Sequence, residues 1–297
     1  MLPSLSVIKL RHTAARAVRT FFYERGFCEV DTPVRIPAPA PELHIIAEPA
    51  GCQFLRTSPE LHMKRMLAAG ANAIFQLGPC FRQHEYGNRH RPEFMMLEWY
   101  RLNADYRTIL ADMQALVPLV AEAVARQTGQ SPHFRATAPW HMHTIQDIYR
   151  ERANWDPVTH FDADRFDLDM VNLIEPSLAH DRCTILLDYP APVAALAHRK
   201  VDQPQLAERW ELYAGGLELA NAFTELTDPH EQRKRFEEAL ANKSARGEPL
   251  APIDEAFMDA LKKGLPACAG VALGFDRLLM ALTGAQDIGE VLPFPQM

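Results

Sequence analysis

The sequence predicts an α/β protein of the α+β kind, a mostly antiparallel sheet flanked by helices, and three features of its 297 residues carry that reading. Residues 72–83 and 93–101 alternate apolar and polar side chains, the period of half-buried strands, and the polar HEYGNRHR stretch joins them as the tip of an antiparallel hairpin. ELYAGGLELANAFTEL gives two more strand pieces about a Gly215-Gly216 turn. Segments with apolar residues at helical spacing stand before, between and after these runs.

Taken in order, residues 7–26 place Ile8, Ala15, Val18 and Phe22 on one helical face, and Gly26 offers the stop. FCEVDTPV follows as a short strand halted by Pro33, and IPAPAPEL is an extended loop. After the hairpin, Ile109, Met113, Leu116, Val117, Val120 and Val124 mark an amphipathic helix begun by Asp105 and ended near Gly129. Residues 130–180 mix His, Asp, Pro and Trp without a sustained period and read as a variable helical insertion. CTILLDY is a buried strand and residues 232–245 a charged helix. CAGVALGFDRLLMALTG is a small-residue strand running into a helix, with Asp276 and Arg277 at the junction.

The composition, 47% hydrophobic and 23% charged, suits a globular enzyme with a sizeable core. With 31 basic against 38 acidic residues the net charge is -7, which argues against a broad electrostatic grip on nucleic acid and leaves room for a local basic cleft. Cys28, Cys52, Cys80, Cys183 and Cys268 are scattered, with neither a CxxC pair for zinc nor a disulfide framework, as in a reducing cytosol. Lys9, Arg11, Arg16 and Arg19 interrupt the N-terminal apolar residues, so no signal peptide is expected, and no stretch is expected to span a bilayer. The expectation is a soluble, cytoplasmic protein with no membrane partner.

Activating a carboxylate with ATP requires cations on the α-phosphate, a divalent metal among the phosphates, a flat platform for adenine and a pocket for the acid. Arg82, the Arg89-His90-Arg91 cluster of the hairpin tip, and the distant Arg277 are candidate cations. Taken alone, Arg82 reads sooner as a surface strand arginine and the tip as a solvated loop.

The surroundings change that reading. FRQHEYGNRHRPEFMMLEWYR resembles motif 2 of the class II aminoacyl-tRNA synthetases, GVALGFDRLLM resembles motif 3, and GFCEVDTP resembles motif 1, so the likeness runs across essentially the whole chain. SPELHMKR, MLEWY and NAFTEL are similar to the amino-acid-binding segments of lysyl-tRNA synthetases. Chemistry points the same way, because a lysine ammonium in a closed pocket must meet carboxylates while its methylenes need apolar walls. Glu60, Glu98 and Glu225 supply the acids, and the period of two puts Glu98 with Tyr100, and Asn221 with Phe223 and Glu225, on single strand faces.

The resemblance implies one class II synthetase catalytic domain over residues 1–297, without an N-terminal anticodon-binding OB domain, and a homodimer formed through motif 1. It implies a nucleotide site drawn from Arg82, His84, Glu85, His90, Arg91, Phe94, Glu218, Leu219, Gly274 and Arg277, with Arg82 and Arg277 as the catalytic cations. Ser58, Pro59, Glu60, Glu98, Tyr100, Asn221, Phe223, Glu225 and Ala272 would bind the amino acid, and Glu211 with Glu218 would carry Mg2+. Glu218 is out of phase with Asn221, so a bulge near Ala220 is required for all of them to face one pocket.

The sequence departs from the family where the motif 2 glutamate becomes His84 with Glu85 beside it, and where Arg91 replaces the asparagine of HNPEF. Either Glu85 takes over adenine recognition or the main chain reads the amino group. Ala272 replaces a glycine of GIGIG, which reshapes the pocket floor. His141 and His143 lack a third metal ligand nearby, and Cys80 and Cys268 read as small core residues.

With motif 1 starting so early and the charge acidic, the chain is similar to the truncated lysyl-tRNA synthetase paralogues that attach lysine, (R)-β-lysine by preference, to a lysine of bacterial elongation factor P. The implied reaction joins lysine to ATP as an adenylate and passes it to a protein amine, with no stable tRNA binding. The alternatives are a fragment that charges RNA and a catalytically silent regulatory paralogue.

Overall fold

The computed structural model describes residues 2–137 and 139–295. Helix α1 (Leu5–Glu24) forms because Leu10, Ala14, Val18, Phe21 and Phe22 recur on one face and bury it. β1 (Cys28–Glu29), β2 (Arg35–Ile36), β3 (Pro49–Ala50), β4 (Gln53–Leu55) and α2 (Glu60–Ala68) follow. The hairpin is β5 (Ala73–Phe81) and β6 (Glu93–Leu102), paired antiparallel from Ala73↔Arg101 to Phe81↔Glu93. Next comes α3 (Tyr106–Thr128), whose N-cap Asp105 accepts the Thr108 N–H and whose C-cap is Gly129.

This helix corrects one expectation. Its 23 residues are long and apolar enough, by length and composition, to cross a bilayer. Its apolar side chains, Ile109, Met113, Leu116, Val117 and Val120 among them, are instead buried in the core, where α3 packs on α1 and on the sheet.

Residues 130–180 hold α4 (Ile145–Arg152), α5 (Ala163–Asp169), a π turn (Met170–Ile174) and a 3-10 turn (Glu175–Ser177). They also hold a strand that the reading missed, β7 (His141–Thr144), which pairs parallel with β8 (Thr184–Pro190). Ile145, Ile148, Tyr149, Phe166 and Ile174 give this segment its own small core against Leu186 and Tyr213.

β9 (Leu206–Ala214) and β10 (Leu217–Thr224) make the second hairpin about Gly215 and Gly216, both at positive φ (62° and 75°), which only glycine adopts without strain. α6 (Pro229–Ala245), α7 (Glu255–Gly264), β11 (Cys268–Gly274) and α8 (Phe275–Thr283) complete the fold. One eight-stranded sheet runs β1-β5-β6-β11-β10-β9-β8-β7, antiparallel inside and parallel only at its two outermost pairs; β2-β4-β3 form a small second sheet.

One face of the large sheet carries α1, α3 and α8 over an apolar core. On the other face the register lines up Glu98, Ala272, Asn221 and Glu211 across four adjacent strands, with Tyr100, Gly270, Phe223 and Arg209 in the parallel row. Glu218 joins them because the register shifts between Glu218 and Ala220, which makes Leu219 the extra residue of a β-bulge at the place the phase mismatch requires. α2, α6 and α7 close this face at one end around Leu61, Phe236 and Phe257.

Candidate active site

The second face of the sheet floors a cavity of about 430 Å³. Its residues separate by charge along the strands. At the end marked by Phe94 and Gly274, Arg82 at the close of β5 lies over the Phe94 ring (5.2 Å) and 3.6 Å from Glu85, while its buried Nε has no hydrogen-bond partner among the described residues. Arg277, in the first turn of α8, donates to the Glu218 carbonyl (3.1 Å), sits 3.6 Å from the Glu218 carboxylate and donates to Nε2 of His90. Burial, then Arg277, pushes the His90 imidazole below its usual range, so it faces the arginine as a neutral acceptor. Asp276 beside it is a strut: it accepts Arg11 from α1 (2.5 Å) and the Met95 N–H of β6 (2.7 Å).

At the other end Glu98 accepts from Ser58 Oγ (2.6 Å) and Tyr100 OH (2.9 Å), yet burial and then the nearby Glu60 push its carboxyl up to about 7. Gly270 is required here, because a Cβ on it would fall 2.2 Å from the Tyr100 ring. Behind this wall Lys64 is wholly buried and paired with both Glu60 (2.5 Å) and Glu225. Burial opposes the Lys64 charge, but the two carboxylates outweigh it and hold the ammonium well above its usual range. Lys64 also lies 5.4 Å from the Phe223 ring centre.

Between the ends stand the two acids of the second hairpin. Glu211 is satisfied on both oxygens, by Arg209 (2.6 Å) on one and by Tyr189 (2.6 Å) and Tyr213 (2.8 Å) on the other. Glu218 is raised by burial and by Glu211, the crowding that a bound cation would relieve. No group of three or more His, Cys, Asp or Glu is gathered for a metal among the described residues, so any cation here would draw its remaining ligands from water or phosphate.

The sequence family described as tRNA synthetases class II (D, K and N) matches residues 3–297. The chain belongs to that family. It is 39% identical to the elongation factor P–(R)-β-lysine ligase of Klebsiella pneumoniae, over 98% of this chain and 96% of that protein. Ligases of the same name from Hamiltonella defensa and Salmonella gallinarum are each 37% identical, over 99% and 98% of this chain and 96% of theirs.

Against the class II pattern, most of the residues singled out in the sequence meet in this cavity: Ser58, Glu60, Arg82, Glu85, His90, Arg91, Phe94, Glu98, Tyr100, Glu211, Glu218, Leu219, Asn221, Phe223, Ala272, Gly274 and Arg277 all line it. Three do not. His84 adopts a left-handed conformation (φ 67°) that turns its exposed side chain away and leaves Glu85 facing the cavity. Pro59 is the buried residue that opens α2, and Glu225 is sealed behind the cavity wall by its pairing with Lys64. Of the three carboxylates expected around an incoming ammonium, Glu60 and Glu225 meet a resident one, Lys64, while Glu98 meets only the Ser58 and Tyr100 hydroxyls.

Lys64 and Arg209 are the residues sequence reasoning passed over. Lys64 had a signal, its i+4 spacing from Glu60 on a helix whose apolar residues face inward. Arg209 had another, its place two residues before Glu211 on the same strand face; it donates to Asn221 Oδ1 (3.0 Å) and thereby turns the Asn221 amide nitrogen away from itself. His141 and His143 sit on β7, and the first meets Arg182 (3.1 Å). Cys80 and Cys268 are buried, and burial pushes both thiols up, Cys80 to about 12, which suits packing and not nucleophilic chemistry.

Proposed function

We propose that the chain is an ATP-dependent, AMP-forming ligase that activates lysine, (R)-β-lysine before L-α-lysine, and transfers it to a lysine side chain of elongation factor P. The observation that carries this reading is the charge order along β6. Phe94 and the arginines mark one end of the cavity and Glu98 the other, four extended residues or about 13 Å away, a length that fits an amino acid laid end-on against a nucleotide phosphate.

The lysine chain would lie with its distal ammonium on Glu98 and its carboxylate toward Arg82. Arg82 and Arg277 would neutralise the charge that builds as the carboxylate oxygen attacks the α-phosphorus and pyrophosphate leaves, and no side-chain nucleophile is needed. The unpartnered Nε of Arg82 is a donor ready for such an anion. Phe94 would offer the flat face for adenine, and Glu85 would take the part of the motif 2 glutamate whose position His84 holds. Glu211 and Glu218 would hold Mg2+, which supplies positive charge among the phosphates. Ala272, between Glu98 and Asn221 in the sheet, puts a methyl on the floor where α- and β-amino acids differ.

The same reading makes the protein a cytoplasmic homodimer. Leu5, Ile8 and Tyr23 are exposed on α1, the helix expected to meet its copy.

Amino-acid-dependent ATP–pyrophosphate exchange tests the activation step. Exchange confined to the lysines and fastest with (R)-β-lysine is expected. Exchange driven by an acidic amino acid, or by none, would overturn the reading.

A further inference from the structure

The chain contributes one more acid to the cavity, and it stands apart from the rest. Glu60, Glu85, Glu98, Glu211, Glu218 and Asp276 each have an ion-pair or hydrogen-bond partner. Glu42, half-buried in the cavity lining, has none within bonding distance among the described residues.

Its position is built. Glu42 lies on the proline-rich loop that adds Glu42, His44 and Ile45 to the cavity lining, with Ala38 and Ala40 buried before it. Beyond it the loop is pinned twice: Lys243 of α6 donates to the Ile45 carbonyl, and the Gln83 N–H donates to the Ile46 carbonyl (2.8 Å). The second pin ties the loop to the residue that follows Arg82. The charged groups facing Glu42 are Arg82 just after β5, Glu60 from α2, Lys243 from α6 and Arg209 from β9, while His44 on the same loop is exposed beside Asp167 of α5 (3.8 Å). Burial keeps the Glu42 carboxyl above its usual range, the direction that suits a proton acceptor working near neutrality.

On the ligase reading, which this inference deepens, the second substrate is a lysine ammonium arriving from outside. Near pH 7 only about one such group in 2,500 is neutral and able to attack. We infer that Glu42 is the acceptor-lysine residue: it receives the incoming ammonium at the mouth and takes its proton. The freed amine attacks the adenylate carbonyl carbon, which Arg82 holds nearby. A C–N bond forms, the bond from carbonyl carbon to phosphate oxygen breaks, and AMP leaves with the electron pair. The first ammonium proton passes from Glu42 to solvent, and the second leaves the nitrogen as the amide forms and goes to the departing phosphate.

The test compares wild type, Glu42→Gln and Glu42→Asp in two assays on the whole enzyme: ATP–pyrophosphate exchange with lysine, and single-turnover transfer from preformed adenylate to elongation factor P. The ratio of transfer to exchange should fall about a hundredfold in Glu42→Gln near pH 7, recover as pH climbs toward the ordinary lysine pKa of about 10.4, and be partly restored in Glu42→Asp. An unchanged ratio in Glu42→Gln, an equal loss of both steps, or a raised KM for lysine in exchange would each overturn it. A wild-type enzyme that neither exchanges with lysine nor modifies elongation factor P would instead sink the ligase reading, and this inference with it.

Discussion

Lys64 and Glu225 form an ion pair whose two side chains are both completely closed off from solvent. A resident lysine thus meets two of the three acids expected to bind the substrate, and on the proposed reading the substrate ammonium goes to Glu98. Breaking such a pair from one side strands a buried charge, which costs about 3–5 kcal/mol. Lys64→Met should therefore lower the urea-unfolding free energy by about that much, and adding Glu225→Gln should return most of it. A single variant that loses under about 1 kcal/mol would contradict the pairing.

Glu98 sets a pH dependence with a definite sign. Its folded-state value of about 7 lies above the ordinary 4.5, so the stability it contributes to the ligand-free protein is full below about pH 4.5 and lost as pH rises through about 7. Lysine binding needs the ionised form and runs the opposite way. KM for lysine in pyrophosphate exchange should fall about tenfold between about pH 6 and pH 8. Glu98→Gln should flatten that profile and raise KM roughly ten- to a hundredfold, the worth of one charged hydrogen bond.

Arg277 tests the electrostatic account of activation. Its guanidinium lines the cavity, held by His90 and the Glu218 carbonyl and 3.6 Å from the Glu218 carboxylate. Arg277→Ala should reduce kcat for exchange by about a hundred- to a thousandfold with a smaller change in KM for lysine. A pure KM effect would assign it to binding alone.

The acid pair predicts a metal requirement. Chelation of divalent cations should abolish exchange, and Mg2+ should restore it. Glu218→Gln should raise the Mg2+ concentration needed for half-maximal rate without altering KM for lysine by more than a few-fold, since Glu218 stands between the phosphate end and the amine end.

Much of the fold is legible in the sequence. The alternation in residues 72–83 and 93–101 gave the hairpin because a half-buried strand enforces a period of two, and Asp105 and Gly129 bracketed α3 because helix ends need a cap and a left-handed stop. The bulge at Leu219 followed from Glu218 being out of phase with Asn221. Other features depend on distant partners that one sequence does not list side by side. The parallel pairing of β7 joins residues about forty apart and left no local period. Lys64 meets Glu225, just past β10 and 161 residues away in sequence, a partner that local spacing does not reveal. The sequence leaves open whether Glu85 takes the place of the motif 2 glutamate, because a one-residue shift depends on the backbone conformation at His84, which is left-handed, with Glu85 in the cavity lining.

The central claim is transfer of an activated lysine to a protein. We would incubate the enzyme with ATP, Mg2+ and (R)-β-lysine in the presence of both elongation factor P and tRNA, and weigh the intact acceptor protein by mass spectrometry. A single lysyl increment on elongation factor P with uncharged tRNA is the predicted result. Charged tRNA beside an unmodified protein would contradict it.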